Sequence, residues 1–591
     1  MRNDPGCQLC KRCQVADNVC ELGTGDRGAE LMVIFDQPSN LNMGFLGDKS
    51  RQQLRDMMMG AELIGDDIEE DDWFVTHAVA CRNPTGKAPT KTEIKKCNKW
   101  LKYQVARMRP KFILSVGAVP LEAITGAKGI KQKRGKPFKW EGAIVIPTFG
   151  TGIIKHDARM EDVIMRDLEL MKQCIDFGGI PESKELDFTV VDTWEKVDLM
   201  IADLKGTVAG DLETTRLYPF TTAWDEQIRA GLASDQLLRD HKATHGNIEP
   251  PRVVSMQWGT RNHQWVVPME TAGVWKRDEL EKIVKRVDKA LKKCYLVGHN
   301  WKFDALWMRC RFGVVWKADF DTMLAHYILD ENDRHGLKEL AMKYCNAVDW
   351  EIEAADKQTW SPKNAKYAAH DVFYTRKLKF VLTKILDEDL QIKDVFRKIL
   401  MPCSGLFIDA EFEGVQVDLS KMDDAEDYLR GELAECLGKL KEWEPEPEII
   451  QKGKNKGKPI EFNWGSPKQV GGLLFDQLDI EPVEFTKTGA PSVSESALNQ
   501  MDHPCVGDLI KYRGAKQQLS FFIEGWKPYL DPEGRLHPSF KIHGTVTGRL
   551  SCENPNLQQV PRDPRIRSLI IAIPGWDLHE CDLSQIELRI A

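Results

Sequence analysis

Asp211 and Glu213 lie two residues apart in AGDLETT, a spacing that points both carboxylates to one face of a β-strand. Like charges held that close repel, and a divalent cation relieves them; hard carboxylate oxygens suit Mg2+ or Mn2+. Asp304 falls in VGHNWKFDALWMRCRFG, where a strand end runs into a helix beginning near Asn300. An acid in a first helical turn is also favoured simply by the positive helix N-terminus. Tyr367 and Asp371, four apart in YAAHDVFYTRKL, share one helical face, as many surface pairs do. Thiols are the other reactive groups. Six of the fifteen cysteines crowd into the first hundred residues, with Cys7 and Cys10 as C-x-x-C and Cys81 and Cys97 far behind. Two close thiolates and two distant ones could hold zinc or an iron–sulfur cluster.

The elements that must carry these groups divide into three segments, 1–178, 186–386 and 390–591, of α/β multidomain character. The first ends in the helical pattern DARMEDVIMRDLELMKQCIDF, followed by the Gly-, Pro- and charge-rich linker GGIPESKE. In the second, the runs VAGDLET, RVVSMQW and HQWVVPM read as strands, DELEKIVKRVDKALKK as a helix and YLVGHN as a further strand. The stretch 216–251 is too long for a plain loop and is expected to hold an inserted helix.

Composition narrows the setting. The chain is 42% apolar and 29% charged with no run of 18 apolar residues, so no membrane span is expected. The start MRNDPGCQLCKRC has no apolar core of a secretory signal, which predicts a cytoplasmic protein whose cysteines stay reduced. A net charge of −8 argues against a protein that coats DNA but allows local grip through KGIKQKRGKPFK (Lys128–Lys139) and KGKNKGK (Lys452–Lys458). A solvated loop is the plain alternative for each.

The order DxE, then NxxFD, then YxxxD, with DTMLAHYILDEN and HGLKELAMKY between the last two, resembles the DEDDy exonucleases that proofread for bacterial-type DNA polymerases. The resemblance implies a ribonuclease H-like domain in which Asp211, Glu213, Asp304 and Asp371 hold two Mg2+ or Mn2+ ions. It further implies that Tyr367 orients the attacking water and that Asn300 holds the strand end.

The third segment carries FNWGSPKQVGGLLF, KTGAPSVSESAL, YRGAKQQL, HPSFKIHGTVTGRLSCENPNLQQVPRD and ECDLSQIELRIA, similar in kind and order to the landmarks of family A DNA polymerases. Asn463 and Ser466 are poised to cap a helix. The resemblance implies a mostly helical thumb and the start of a palm. Arg549, Asn556 and Gln558 would meet primer–template, Asp582 the catalytic Mg2+, and Glu587 the sugar, with Arg589 in support. The fingers and second palm motif of that family do not follow Ala591, so this chain by itself is not expected to polymerise. A gene fragment, an intron or intein split, or a second chain completing the enzyme would each give this pattern.

The first segment resembles the iron–sulfur uracil-DNA glycosylases of family 4, through the cysteines and through MGFLGDKSRQQL, WFVTHAVACRNPTGKAPTKTEIKKC, KFILSVGAVPLEAITG and AIVIPTFG. It implies an α/β/α domain with a [4Fe–4S] cluster on Cys7, Cys10, Cys81 and Cys97, while Cys13 and Cys20 fall off the ligand positions. The catalytic positions depart from that family. Phe35-Asp36-Gln37-Pro38-Ser39 stands for Gly-Glu-Ala-Pro-Gly, Gly86 for Asn, and Gly150-Thr151 for His-Pro. Little or no uracil excision is expected, with Phe35 filling the base pocket.

The sequence thus predicts a replication protein of phage-like type, acting on single-stranded 3′ ends and primer–template. A silent DNA-binding scaffold, or a repair enzyme coupling uracil recognition to trimming, are the competing readings.

Overall fold

The computed structural model describes residues 7, 10, 12, 23–38, 49–65, 73–83, 87–157, 160–180, 186–245, 250–345, 347, 350, 359–447, 449, 459, 462–486 and 489–590. They form two compact units, Met1–Leu186 with Lys338–Ile352, and Asp187–Leu337 with Glu353–Ala591. Among the described residues no helix is long and apolar enough to cross a membrane.

In the first unit the apolar runs LMVIF, WFVTH, FILSV and AIVIPT are buried along their whole length, as parallel strands covered on both faces must be. The strands are β1 (Thr24–Gly25), β2 (Leu31–Phe35), β3 (Trp73–His77), β4 (Phe112–Val116), β5 (Phe138–Trp140) and β6 (Ala143–Thr148), in the order β1-β3-β2-β4-β6-β5. Strands β3, β2, β4 and β6 run parallel, and β1 and β5 close the edges antiparallel. Alternate residues of β2 serve opposite cores. Met32 and Ile34 meet the helix Lys91–Met108 through Ile94, Leu101 and Val105; Leu31 and Val33 meet Lys49–Gly60 and Met160–Phe177 through Leu54, Met58 and Leu168. A capping box of Thr90 and Glu93 starts the helix that carries Cys97.

The basic run 128–139 is largely built into this unit. Arg134 forks onto the buried Asp167, and Phe138–Trp140 is the edge strand β5, which replaces the plain loop as its reading. KGKNKGK lies outside the described residues.

The second unit has a six-stranded sheet of β7 (Phe188–Val190), β8 (Gly206–Thr214), β9 (Val253–Gly259), β10 (Gln264–Pro268), β11 (Cys294–Gly298) and β12 (Phe320–Asp321). Its order is β12-β11-β8-β9-β10-β7, with β8, β9 and β10 antiparallel and β11 parallel to β8. The helix Arg277–Leu291 buries Leu280, Ile283, Val284 and Val287 at 3.6-residue spacing against this sheet, as its pattern predicts. The remaining residues are mainly helical, led by Leu419–Leu440 and Pro504–Gln518, which pack on each other around Leu429, Leu509 and Trp526. Ser466 caps the helix Pro467–Gly471, while Asn463 instead accepts from the Gly465 N–H in the turn before it.

The insertion 216–251 holds helix as expected, and among the described residues there are two, Ala223–Arg229 and Asp235–His245. Buried Asp225 ties them together. It accepts both arms of Arg216 (2.8 and 2.7 Å), His241 Nε2 (2.9 Å) and the Thr222 N–H (2.7 Å). Burial alone would raise the Asp225 carboxyl, but His241 and Arg216 hold it well below the usual range. His245 donates to the Pro528 carbonyl (3.0 Å), and burial, aided by the Arg216 charge, pushes its ring down to about 4. The fold therefore refuses a proton that the unfolded chain accepts. This stability is fully present above about pH 6.5 and is lost as pH falls toward about 4, at most about 3 kcal/mol for this ring. Urea midpoints at pH 7 and pH 4.5 should differ less in His245→Gln than in the unaltered protein.

Candidate metal centre

Strand β8 pairs antiparallel with β9 so that Asp211 faces Gln257 and Glu213 faces Ser255. The two acids share a face, and the helix Pro362–Glu388 brings Asp371 to it. One oxygen from each of Asp211, Glu213 and Asp371 lies within 4.8 Å of the others. Three hard anionic donors this close fit divalent cations of the magnesium type.

Asp304 reaches the group from the helix Trp301–Phe312. It is 3% exposed and accepts the Leu212 N–H at 2.9 Å, between the two acids of the strand. Burial, then the charge of Asp211 and more weakly of Glu213, push its carboxyl well above the ordinary range. Without a cation this crowding favours the protonated form of Asp304 over its charged one. Tyr367 lies one turn before Asp371 on the same helix and is also buried.

Several positioning residues escape sequence reasoning. Gln257 is fully buried and donates its amide to Asp211, fixing one carboxylate oxygen. Asp321 is 1% exposed and accepts four backbone N–H groups, from Asn300 (3.1 Å), Trp301 (2.8 Å), Met323 (2.9 Å) and Leu324 (3.3 Å). It anchors the start of the Asp304 helix, where Asn300 takes a left-handed φ of 55°. Asp321 followed by Thr322 at a helix start was a legible cap signal; its reach back to Asn300 was not.

Gly259 decides how near the Asp371 helix can come. A Cβ there would lie 2.8 Å from the Val372 carbonyl oxygen, which is backbone and cannot swing aside. Gly259→Ala should push the helix outward, costing roughly 1–3 kcal/mol of stability and on the order of 10–100-fold in nuclease rate. Parallel melting curves and rate measurements would check it; an unchanged rate with unchanged stability would refute this account.

Asp582 and Arg589 are exposed, the latter in the short helix Ile586–Ile590, and the Glu587 side chain lies outside the described residues. Arg549 is exposed, Asn556 caps the turn Leu557–Gln559, and the Gln558 amide donates to the Leu550 carbonyl at 3.3 Å.

In the first unit, burial pushes the Cys97 thiol up to about 11, and nearby Cys81, Cys10 and Cys7 add to the rise. Buried Arg12 donates to the Cys81 carbonyl at 3.0 Å, linking the two cysteine groups. Among the described residues no three cysteines gather within 4.8 Å as ligands of one ion, whereas a zinc tetrahedron would set its sulfurs about 3.8 Å apart. Cys13, Cys20, Ser39 and Gly86 lie outside the described residues. Phe35, Asp36, Gln37, Pro38, Gly150 and Thr151 line one cavity of about 820 Å³, so Phe35 walls the pocket without filling it.

Three family models match along the chain: the uracil DNA glycosylase superfamily at 22–158, the 3′-5′ exonuclease at 240–387 and DNA polymerase family A at 432–591. The middle of this chain is a 3′-5′ exonuclease domain. The exonuclease model begins after Asp211 and Glu213, and the strand pairing supplies what it omits. Among relatives, the DNA polymerase of Bacillus phage SP01 is 26% identical over 96% of this chain and 68% of its own length. That of Escherichia phage T5 is 28% identical over 81% and 56%, and DNA polymerase I of Chloroflexus aurantiacus 29% over 50% and 32%. The chain thus spans from 32% to 68% of the length of these curated relatives. A solved structure, the POL domain of Pol1 from M. smegmatis in complex with DNA primer-template and dNTP, overlaps 68% of this chain and 61% of its own length at 20% identity with a TM-score of 0.49, too loose to inform the fold.

Proposed function

We propose that the exonuclease domain removes nucleotides from DNA 3′ ends by two-metal hydrolysis, as the proofreading part of a family A replicative DNA polymerase. The observation that carries this is the convergence of Asp211, Glu213 and Asp371 from a strand and a distant helix. Asp304, close enough to Asp211 and Glu213 to feel their charge, would complete the ligand set in its ionised form. Bound cations would neutralise the scissile phosphate and the developing charge on the attacking and leaving oxygens. Gln257 keeps Asp211 aimed, and Tyr367, one turn before Asp371 on its helix, would orient the attacking water. A cleft of about 300 Å³ lined by Leu217, Asn300, Phe303, Phe540 and His543 would receive the strand end. Leu217, 82% exposed, offers an apolar face for a terminal base.

The polymerase segment would lend Arg549 and Gln558 to primer–template and Asp582 to a second catalytic centre, with Glu587 and Arg589 beside it. Trp576, Leu578, Leu583, Leu588 and Ile590, beside Asp582, are all more than 60% exposed. In the first unit Cys7, Cys10, Cys81 and Cys97 are proposed to hold a [4Fe–4S] cluster, whose cube spreads its thiolates wider than a single ion does.

A 3′-labelled single strand incubated with the chain and Mg2+ should release labelled mononucleotides, and EDTA should stop it. Absence of release, with magnesium leaving the melting temperature unmoved, would leave the scaffold reading standing. Uracil-containing duplex should stay uncut; cleavage would favour the repair reading.

A further inference from the structure

Lys302 lies between Asn300 and Asp304 at the start of the helix Trp301–Phe312, yet the two-metal chemistry gives it no task. Two residues along a helix turn a side chain through roughly 200°, so Lys302 leaves the helix on nearly the opposite side from Asp304. It lines the cleft of about 300 Å³ together with Asn300 and Phe303. Its ammonium donates to the Glu411 carboxylate, the two side chains being 12% and 1% exposed.

Glu411 comes from the helix Met401–Glu413 and is fixed from its other side. The carboxylate oxygen that takes Lys302 also accepts the Phe540 N–H at 2.6 Å, and the Glu411 carbonyl accepts from His537 Nδ1 at 2.8 Å. Arg309, about two turns beyond Lys302, pairs with Asp409 and Glu413 of the same helix. The ammonium is thus held in place before any ligand arrives.

A lysine ammonium carries three N–H donors. Among the described residues Glu411 is the one acceptor of Lys302, which leaves two donors at the cleft wall. With so little exposure they are short of water, and an anionic acceptor there gains accordingly. The other charges lining the cleft are differently engaged. Lys541 pairs with Glu553 at 2.6 Å, and Asp321 takes its four backbone N–H groups. Burial, then the charges of His335, Lys541 and Lys302, push His543 down to about 4, so it is neutral at pH 7.

We infer that Lys302 binds a phosphate of the strand being trimmed, upstream of the scissile one, while Glu411 holds its ammonium in place. This rests on the nuclease reading above and adds the grip on the strand behind its 3′ end. The scissile phosphate belongs to the cations, whereas an ammonium on the far side of the helix meets the strand further back. Its loss weakens strand binding and leaves the chemical step alone.

Trimming of a short 3′-labelled oligothymidylate by the full chain in Mg2+ would be followed across strand and salt concentrations. Lys302→Met should raise KM by about tenfold or more and leave kcat within about threefold. The slope of log kcat/KM against log salt should flatten by about 0.7, the share of one phosphate on a single strand. That variant also leaves Glu411 charged and buried without its partner, so its melting temperature should fall. Adding Glu411→Gln removes the charge and keeps an acceptor for the Phe540 N–H. The double variant should regain the melting temperature yet keep the raised KM and the flatter slope. Recovery of all three together would mean that the pair only braces the fold, and would overturn the inference. An unmoved KM in Lys302→Met, beside normal trimming by the unaltered chain, would overturn it alone. No release of mononucleotides by the unaltered chain would sink the nuclease reading and this contact with it.

Discussion

Alanine in place of Asp211 is expected to slow the trimming of a 3′ strand end by roughly three orders of magnitude, corresponding to about 4 kcal/mol of transition-state stabilisation. The same loss is expected for Asp371→Ala. Each carboxylate belongs to one group whose oxygens lie within 4.8 Å, so removing either leaves too few hard donors to keep both cations. For that reason the double variant should be hardly slower than either single one, as for any set of residues acting as a unit. Single-turnover release at saturating strand would separate this from weakened binding. Retention of more than a tenth of the rate in both single variants would show that the convergence has no part in the reaction.

Asp304 makes the second large effect, one of proton linkage. Its folded carboxyl is raised by burial, then by Asp211, so the metal-free fold holds a proton that the unfolded chain releases near pH 3.9. The stability it contributes is complete below that value and is lost as pH rises through the raised folded value. The slope is about 1.4 kcal/mol per pH unit across that window. Magnesium should reverse the trend, because cations replace the proton and bind better as it leaves. Urea unfolding of the chain in EDTA across pH 4 to 8, against Asp304→Asn, would show the difference. The variant should lose this slope and most of the stabilisation by magnesium. Identical slopes in the two proteins would mean that Asp304 is not protonated in the metal-free fold.

Much of the nuclease centre was legible along the chain because its signals are local. A two-residue step puts Asp211 and Glu213 on one side of a strand, and a four-residue step puts Tyr367 and Asp371 on one side of a helix, whatever surrounds them. The resemblance of their order to a proofreading nuclease joined them into one site. The same locality explains what stayed hidden. The length of 216–251 was enough to place a helix there, but that Asp225 joins two helices through Arg216 and His241 was decided by packing. The basic run at 128–139 looked solvated because nothing nearby in sequence marks Asp167 as the partner of Arg134.

What the amino-acid order determined by itself was chemistry and spacing: which groups can hold cations, which face each takes, and where caps begin helices. Tertiary structure alone decided who stands beside whom. Gln257 reaches Asp211 through strand register, Asp321 reaches Asn300 across the end of two strands, and Gly259 sets the approach of the Asp371 helix. The cavity of the first unit likewise gathers residues from 35 to 155 that share no pattern in the chain. Side-chain periodicity follows from backbone geometry over a few residues, whereas register and close approach follow from packing across the whole core.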